Sequence, residues 1–180
     1  MQLSHYYELN SAVLIDLYEG KAAQAHARVE SLWRGLEASL LLRIQSVNIE
    51  ASFVRARAAL AHAALDAGAR PELLRLVAAC VRTLSREQTA WGGAFAATAR
   101  AGAARVAGEP ERELAALREA LAAFEATEMA LFSAAVQRRL AALVGGSEGA
   151  ALSASAAERF RQQAIPDPLA LSRSMLGLAD

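Results

Sequence analysis

From Ser39 to Gly68 the chain reads SLLLRIQSVNIEASFVRARAALAHAALDAG, and two apolar seams run through it at helical spacing. One seam is Leu40, Ile44, Val47, Ala51, Val54, Ala58, Ala61, Leu65; the other is Leu42, Ile49, Phe53, Ala56, Leu60, Ala64. Steps of three and four residues keep each seam on one side of an α-helix. Polar stripes separate them, with Arg43, Ser46, Glu50 and Arg57 on one side and Asn48, Arg55 and His62 on the other. A helix that is apolar on two sides needs neighbours on two sides. That is the position of an inner helix in a stacked helical array. The spacing predicts one long helix over this stretch, stopped at Gly68.

The flanking sequence repeats the theme. Helices are expected at 3–19 and 21–37 before the central one. A fourth opens at Arg70-Pro71-Glu72, and others follow at 90–107, from Pro110 to about 125, at 128–144 and at 148–163. Proline fits a first helical turn, where its missing N–H costs nothing. Thr89 and Asp167 are expected N-caps. The acidic Glu109, Glu111 and Glu113 suit the positive end of the sixth helix. Gly20, Gly68, Gly108 and Gly145 each separate two helical patterns, at intervals of 48, 40 and 37 residues. Periods in this range mark helical-hairpin repeats. Alanine supplies 45 of the 180 residues, so helices can approach closely, and no stretch alternates in the manner of a strand.

The expected fold is all-α: a short right-handed α-solenoid of antiparallel helical hairpins, with about eight to nine helices in one domain over residues 1–180. The hairpins are expected at about 3–37, 39–86, 89–125 and 128–163. A C-terminal capping helix at 167–176 uses Leu169, Leu171, Met175 and Leu176 to close the end of the stack.

The charge balance excludes some function classes. Nineteen basic residues meet nineteen acidic ones. Phosphate binding needs a basic excess on one face, so no nucleic-acid partner is expected. No apolar run approaches the ~20 residues of a membrane span, and the N-terminus lacks the pattern of a signal peptide, so a cytoplasmic location is expected. The single cysteine, Cys80, lies on an apolar seam and reads as a buried small hydrophobe. His5, His26 and His62 sit in no nucleophile or metal-ligand pattern, so neither enzyme activity, nor a metal, nor a cofactor is expected.

Residues Ala104-Arg105-Val106-Ala107-Gly108-Glu109-Pro110-Glu111-Arg112, followed by Ala120 and Phe124, resemble a tetratricopeptide repeat. The run Phe53-Val54-Arg55-Ala56-Arg57-Ala58-Ala59-Leu60-Ala61, then Trp91-Gly92, is similar to the C-terminal helical region of large bacterial serine/threonine protein kinases and multidomain ATPase regulators. The tail Gln163-Ala164-Ile165-Pro166-Asp167-Pro168, ahead of a last helix ending in Met-Leu and Gly, strengthens that likeness. The resemblance implies a non-catalytic, regulatory part of a bacterial signalling protein.

Two functions follow as expectations. The first is a protein–protein interaction scaffold whose concave groove holds a protein or peptide partner. Its candidate binding residues are polar or aromatic groups on inner helices: Tyr7, Arg43, Asn48, Glu50, Arg55 and Trp91. The alternative is a small-molecule-sensing domain controlling an attached kinase or ATPase. An open polar groove favours the scaffold, and a deep aromatic-walled pocket favours the sensor. The end hairpins, with Leu3, Tyr6 and Tyr7 as an apolar patch, offer a route to a homo-oligomer.

Overall fold

The computed structural model describes residues 2–177. Nine α-helices and no strand occur among them: α1 (Leu3–Tyr18), α2 (Ala22–Glu37), α3 (Gln45–Leu65), α4 (Arg70–Arg86), α5 (Ala90–Ala107), α6 (Pro110–Ala126), α7 (Ala130–Val144), α8 (Gly146–Gln162) and α9 (Pro168–Leu176). A 3-10 turn, Leu40–Arg43, precedes α3. Helices α1/α2, α3/α4, α5/α6 and α7/α8 pair as hairpins, and α2, α4 and α6 each pack on the first helix of the next hairpin. This is an all-α helical-repeat array.

The central helix is shorter than the seams imply. Ser39 accepts a hydrogen bond from Leu41 N at 3.3 Å and donates one to Leu36 O at 2.7 Å, which holds 40–43 in the tighter turn. Ile44 is extended (φ −84°, ψ 115°), and α3 starts only at Gln45. Leu40 and Ile44, the leading members of the first seam, stay exposed. The far end also differs from expectation. The Asp66 carboxylate accepts from Gly68 N at 2.9 Å and Ala69 N at 3.0 Å, so a side-chain turn ends the helix at Leu65. Between these limits most of both seams is buried, including Val47, Ala51, Val54 and Ala58 on one and Ile49, Phe53, Ala56 and Leu60 on the other, while the terminal Leu65 stays exposed.

Thr89 and Asp167 cap α5 and α9, accepting from Gly92 N at 3.1 Å and Ala170 N at 2.9 Å. The two later links between hairpins and the link into α9 share one geometry, which the α2–α3 link does not. After α4, α6 and α8 the chain passes through a residue of positive φ that is not glycine: Gln88 (51°), Glu128 (57°) and Ala164 (51°). Each lies four residues after a fully sequestered apolar side chain, respectively Leu84, Phe124 and Phe160. Met129 N donates to Phe124 O at 2.9 Å and Ile165 N to Phe160 O at 3.0 Å, which satisfies carbonyls the helix end leaves open.

Bidentate ion pairs also join successive hairpins. Arg55 of α3 donates to Glu30 of α2 at 2.6 and 2.7 Å, and Arg139 of α7 donates to Glu113 of α6 at 2.6 and 3.0 Å. Glu113 thus does more than complement a helix dipole: its side chain is 4% exposed, with Arg105 also 4.0 Å away.

Contrary to the expectation from sequence, the last helix does not close one end of the stack. It packs on α7 and α1 and touches α3 and α5, so it lies across the inner face formed by the first helices of all four hairpins. Gly177 ends it in the left-handed region (φ 66°). A Cβ there would sit 2.6 Å from Arg57 Cα and 2.7 Å from its carbonyl oxygen. Backbone atoms cannot move aside cheaply, and the left-handed conformation itself costs an alanine ~1–2 kcal/mol. Gly177→Ala is therefore expected to loosen α9. Amide exchange over 168–176 should rise by about ten-fold or more while α5–α7 keep their protection, as hydrogen-exchange mass spectrometry would read.

Candidate inner-face ligand site

A cavity of about 640 Å³ opens between α1, α3, α5, α7 and α9. Phe53 of α3, Trp91 and Phe95 of α5 and Phe132 of α7 form its aromatic walls. Leu14, Ile15 and Tyr18 of α1 face them, and Leu171 and Met175 of α9 close another side. The rings hold one another in place. Phe53 stacks on Phe95 at 4.0 Å, Trp91 meets Phe95 edge-on at 5.7 Å, and Phe132 lies 5.2 Å from Phe95. Such contacts add to burial and fix the orientation of each ring. The small residues of α5 let these helices come close enough for the rings to meet; Ala94, Ala97, Ala99 and Ala101 are all inaccessible to solvent.

The polar groups on this wall are few. Arg57 is 5% exposed, and its guanidinium lies 4.5 Å over the Phe53 ring. Its Nη1 donates to Ser174 O at 3.0 Å and Met175 O at 3.5 Å. These are last-turn carbonyls of α9, the negative end of that helix, so the helix terminus stands where a carboxylate would ordinarily stand. Arg57 Nε has no hydrogen-bond partner. Burial lowers the Arg57 pKa to about 10, partly opposed by Tyr6 and Glu50, and the group stays charged at neutral pH. Glu50 accepts from the Tyr6 hydroxyl at 3.2 Å. Burial, then Glu50, pushes the Tyr6 phenol above its ordinary value. Asn10 of α1 also lines the cavity, and its buried Oδ1 has no partner.

Of the six candidates from sequence, Glu50 and Trp91 meet at this cavity. The other four lie elsewhere. Tyr7 is 53% exposed beside Tyr6, and Arg43 is exposed at the end of the 3-10 turn. Asn48 donates to Glu87 at 2.6 Å, a tie to the end of α4. Arg55 is held by Glu30 and covers the Trp33 ring at 4.0 Å. The terminal patch loses one member, since Tyr6 is 2% exposed and packed with Leu36, Val47 and Ala51. Arg57, Asn10 and the inward placement of α9 were not anticipated. The available signal was the i, i+4 pair Phe53/Arg57 between two apolar seams, which lets a cation lie on a ring.

A smaller cavity of about 370 Å³ lies beside Arg55, with His26 and His62 tilted against each other at 5.3 Å in its wall. His26 Nε2 and His62 Nδ1 are buried without partners. Burial lowers the His26 pKa from its ordinary 6.5; His62 and Arg55 add to this, and Glu30 and Glu72 oppose it. The fold therefore prefers neutral His26, and the unfolded chain takes the proton first. Its contribution is present above pH 6.5 and is lost as pH falls through the lowered folded value. The melting temperature is expected to drop between pH 7.5 and 5, and His26→Gln should flatten that drop relative to the parent. Among the described residues no group of three or more His, Cys, Asp or Glu is arranged to hold a metal ion. None of the described helices is long and apolar enough to cross a membrane. Cys80 is buried, and burial raises its thiol pKa to about 11, which makes it a poor nucleophile at neutral pH.

Compared with protein-family models, with curated proteins and with solved structures, the chain matches none.

Proposed function

We propose that this chain is a non-catalytic helical-repeat module that binds a small molecule with an apolar body on its inner face and relays its presence through α9. The observation carrying this reading is the aromatic-walled cavity of about 640 Å³, one side of which is α9 itself. Pockets of ~300–1,000 Å³ with apolar walls and a few converging polar groups suit drug-sized ligands. Because Leu171, Ser174 and Met175 belong to the lining, an occupant that prefers one placement of α9 shifts its docking equilibrium. The likeness to the helical regions of bacterial kinases and ATPase regulators fits this role: the module would control an attached catalytic domain in the cytoplasm.

A second reading is the interaction scaffold, in which the same face receives a partner's helix. One observation favours it: α9 already lies in the groove as a helix across α1, α3, α5 and α7. Thermal-shift screening of the whole chain separates the two. Apolar small molecules should raise the melting temperature and change Trp91 emission in a Trp33→Phe background. A synthetic peptide of residues 164–177 should not. A shift with peptides and none with small molecules overturns the sensor in favour of the scaffold.

A further inference from the structure

The polar groups of the inner cavity bear on the kind of ligand it would take, an inference that rests on reading the cavity as a ligand site. Arg57 presents a donor, Nε–H, with nothing to receive it. Asn10 presents an acceptor, Oδ1, with nothing to give to it. Glu50 supplies a carboxylate whose one hydrogen-bonding partner among the described residues is the Tyr6 hydroxyl. Unmet polar groups in a sequestered site cost free energy that a matching ligand recovers.

The two charges lie on one face of α3, seven residues apart, about 10 Å along the axis. Side chains on a helix lean toward its N-terminus, and the Arg57 guanidinium accordingly covers Phe53, one turn nearer to Glu50. The two are nevertheless not an ion pair, for the partners of Arg57 are the α9 carbonyls. A gap between opposite charges, with an unmet donor at one end and an unmet acceptor nearby on α1, calls for a head group with both signs.

We propose that the cavity takes a hydrophobic α-amino acid, or a molecule with the same zwitterionic head, its carboxylate on Arg57 Nε–H, its ammonium toward Asn10 Oδ1 and Glu50, and its side chain among Trp91, Phe95 and Phe132. Other classes fit less well. A phosphate or nucleotide carries more negative charge than one guanidinium can meet beside Glu50. A fatty acid brings a carboxylate against Glu50 and leaves Asn10 unmet. An alkylamine leaves Arg57 unmet.

The test is isothermal titration of the whole chain with L-tryptophan, indole-3-propionate, tryptamine and indole. These share one ring; the first three differ in the charged groups on a two-carbon chain, and indole carries neither chain nor head. L-Tryptophan is expected to bind at least about ten-fold more tightly than the acid or the amine, the worth of one hydrogen bond to a charged group. Asn10→Ala should cut the affinity for L-tryptophan and tryptamine by about ten-fold and leave indole-3-propionate unchanged. If the acid or the amine binds as tightly as the zwitterion, or Asn10→Ala weakens all four ligands equally, the head-group assignment is overturned while binding of the indole ring still supports the cavity. Failure of all four to bind, together with failure of an apolar fluorescent dye to bind, overturns the cavity reading as well.

Discussion

Phe95→Ala is expected to lower the unfolding free energy by about 3–5 kcal/mol, the range for deleting a large aromatic from a packed core. Phe95 is 5% exposed and contacts Phe53, Trp91, Phe124 and Phe132 at ring separations of 4.0 to 5.8 Å. These rings come from α3, α5, α6 and α7, so the loss falls on three hairpins at once. The midpoint of urea unfolding, followed by circular dichroism, reads it. Phe95→Leu keeps most of the volume and should cost much less. Since Phe95 is also a wall of the inner cavity, the alanine variant should weaken binding of an apolar ligand even where it remains folded. Unchanged stability in Phe95→Ala would mean that the aromatic cluster does not hold the hairpins together.

Glu113→Ala is expected to cost about 3 kcal/mol, because it leaves the Arg139 fork without its acceptor in a partly buried place. Arg139 is 20% exposed, so some solvent reaches it, which keeps the cost toward the low end for a broken buried pair. The double variant Glu113→Leu, Arg139→Leu removes both charges and should recover a large part of the loss. The pair spans α6 and α7, so urea unfolding should report the loosening of the last hairpin against the third. Additive losses in the two single variants and the double variant would show that the two groups do not interact.

The hairpin plan was legible because its markers are local. Gly20, Gly108 and Gly145 occupy positive φ between paired helices, Pro71, Pro110 and Pro168 stand in first turns, and Thr89 and Asp167 cap the helices they precede. The start of α3 was not legible. Leu40 and Ile44 have the right identity and spacing for a helix, but the Ser39 hydroxyl competes for nearby backbone groups and turns the chain first. In the sequence Arg57 falls on a polar stripe, and a charge on a helix ordinarily faces water. What receives it is a pair of carbonyls 117 and 118 residues away, and no local pattern reports them. The role of Glu113 was hidden for the same reason, since its partner Arg139 lies 26 residues on. Glu50 and Trp91 line the cavity, whereas Asn48 and Arg55, which interrupt the same helix face pattern, are tied to Glu87 and Glu30.

From the second hairpin onward, each link runs through a side-chain-bearing residue, Gln88 and Glu128 between hairpins and Ala164 ahead of α9, in backbone territory that glycine enters more freely. The β-carbon narrows what the joint can visit, so the pitch of the stack is fixed by sterics and has little slack. A guest of the kind proposed above would therefore be accommodated by a shift of α9, not by a spreading of the coils around it.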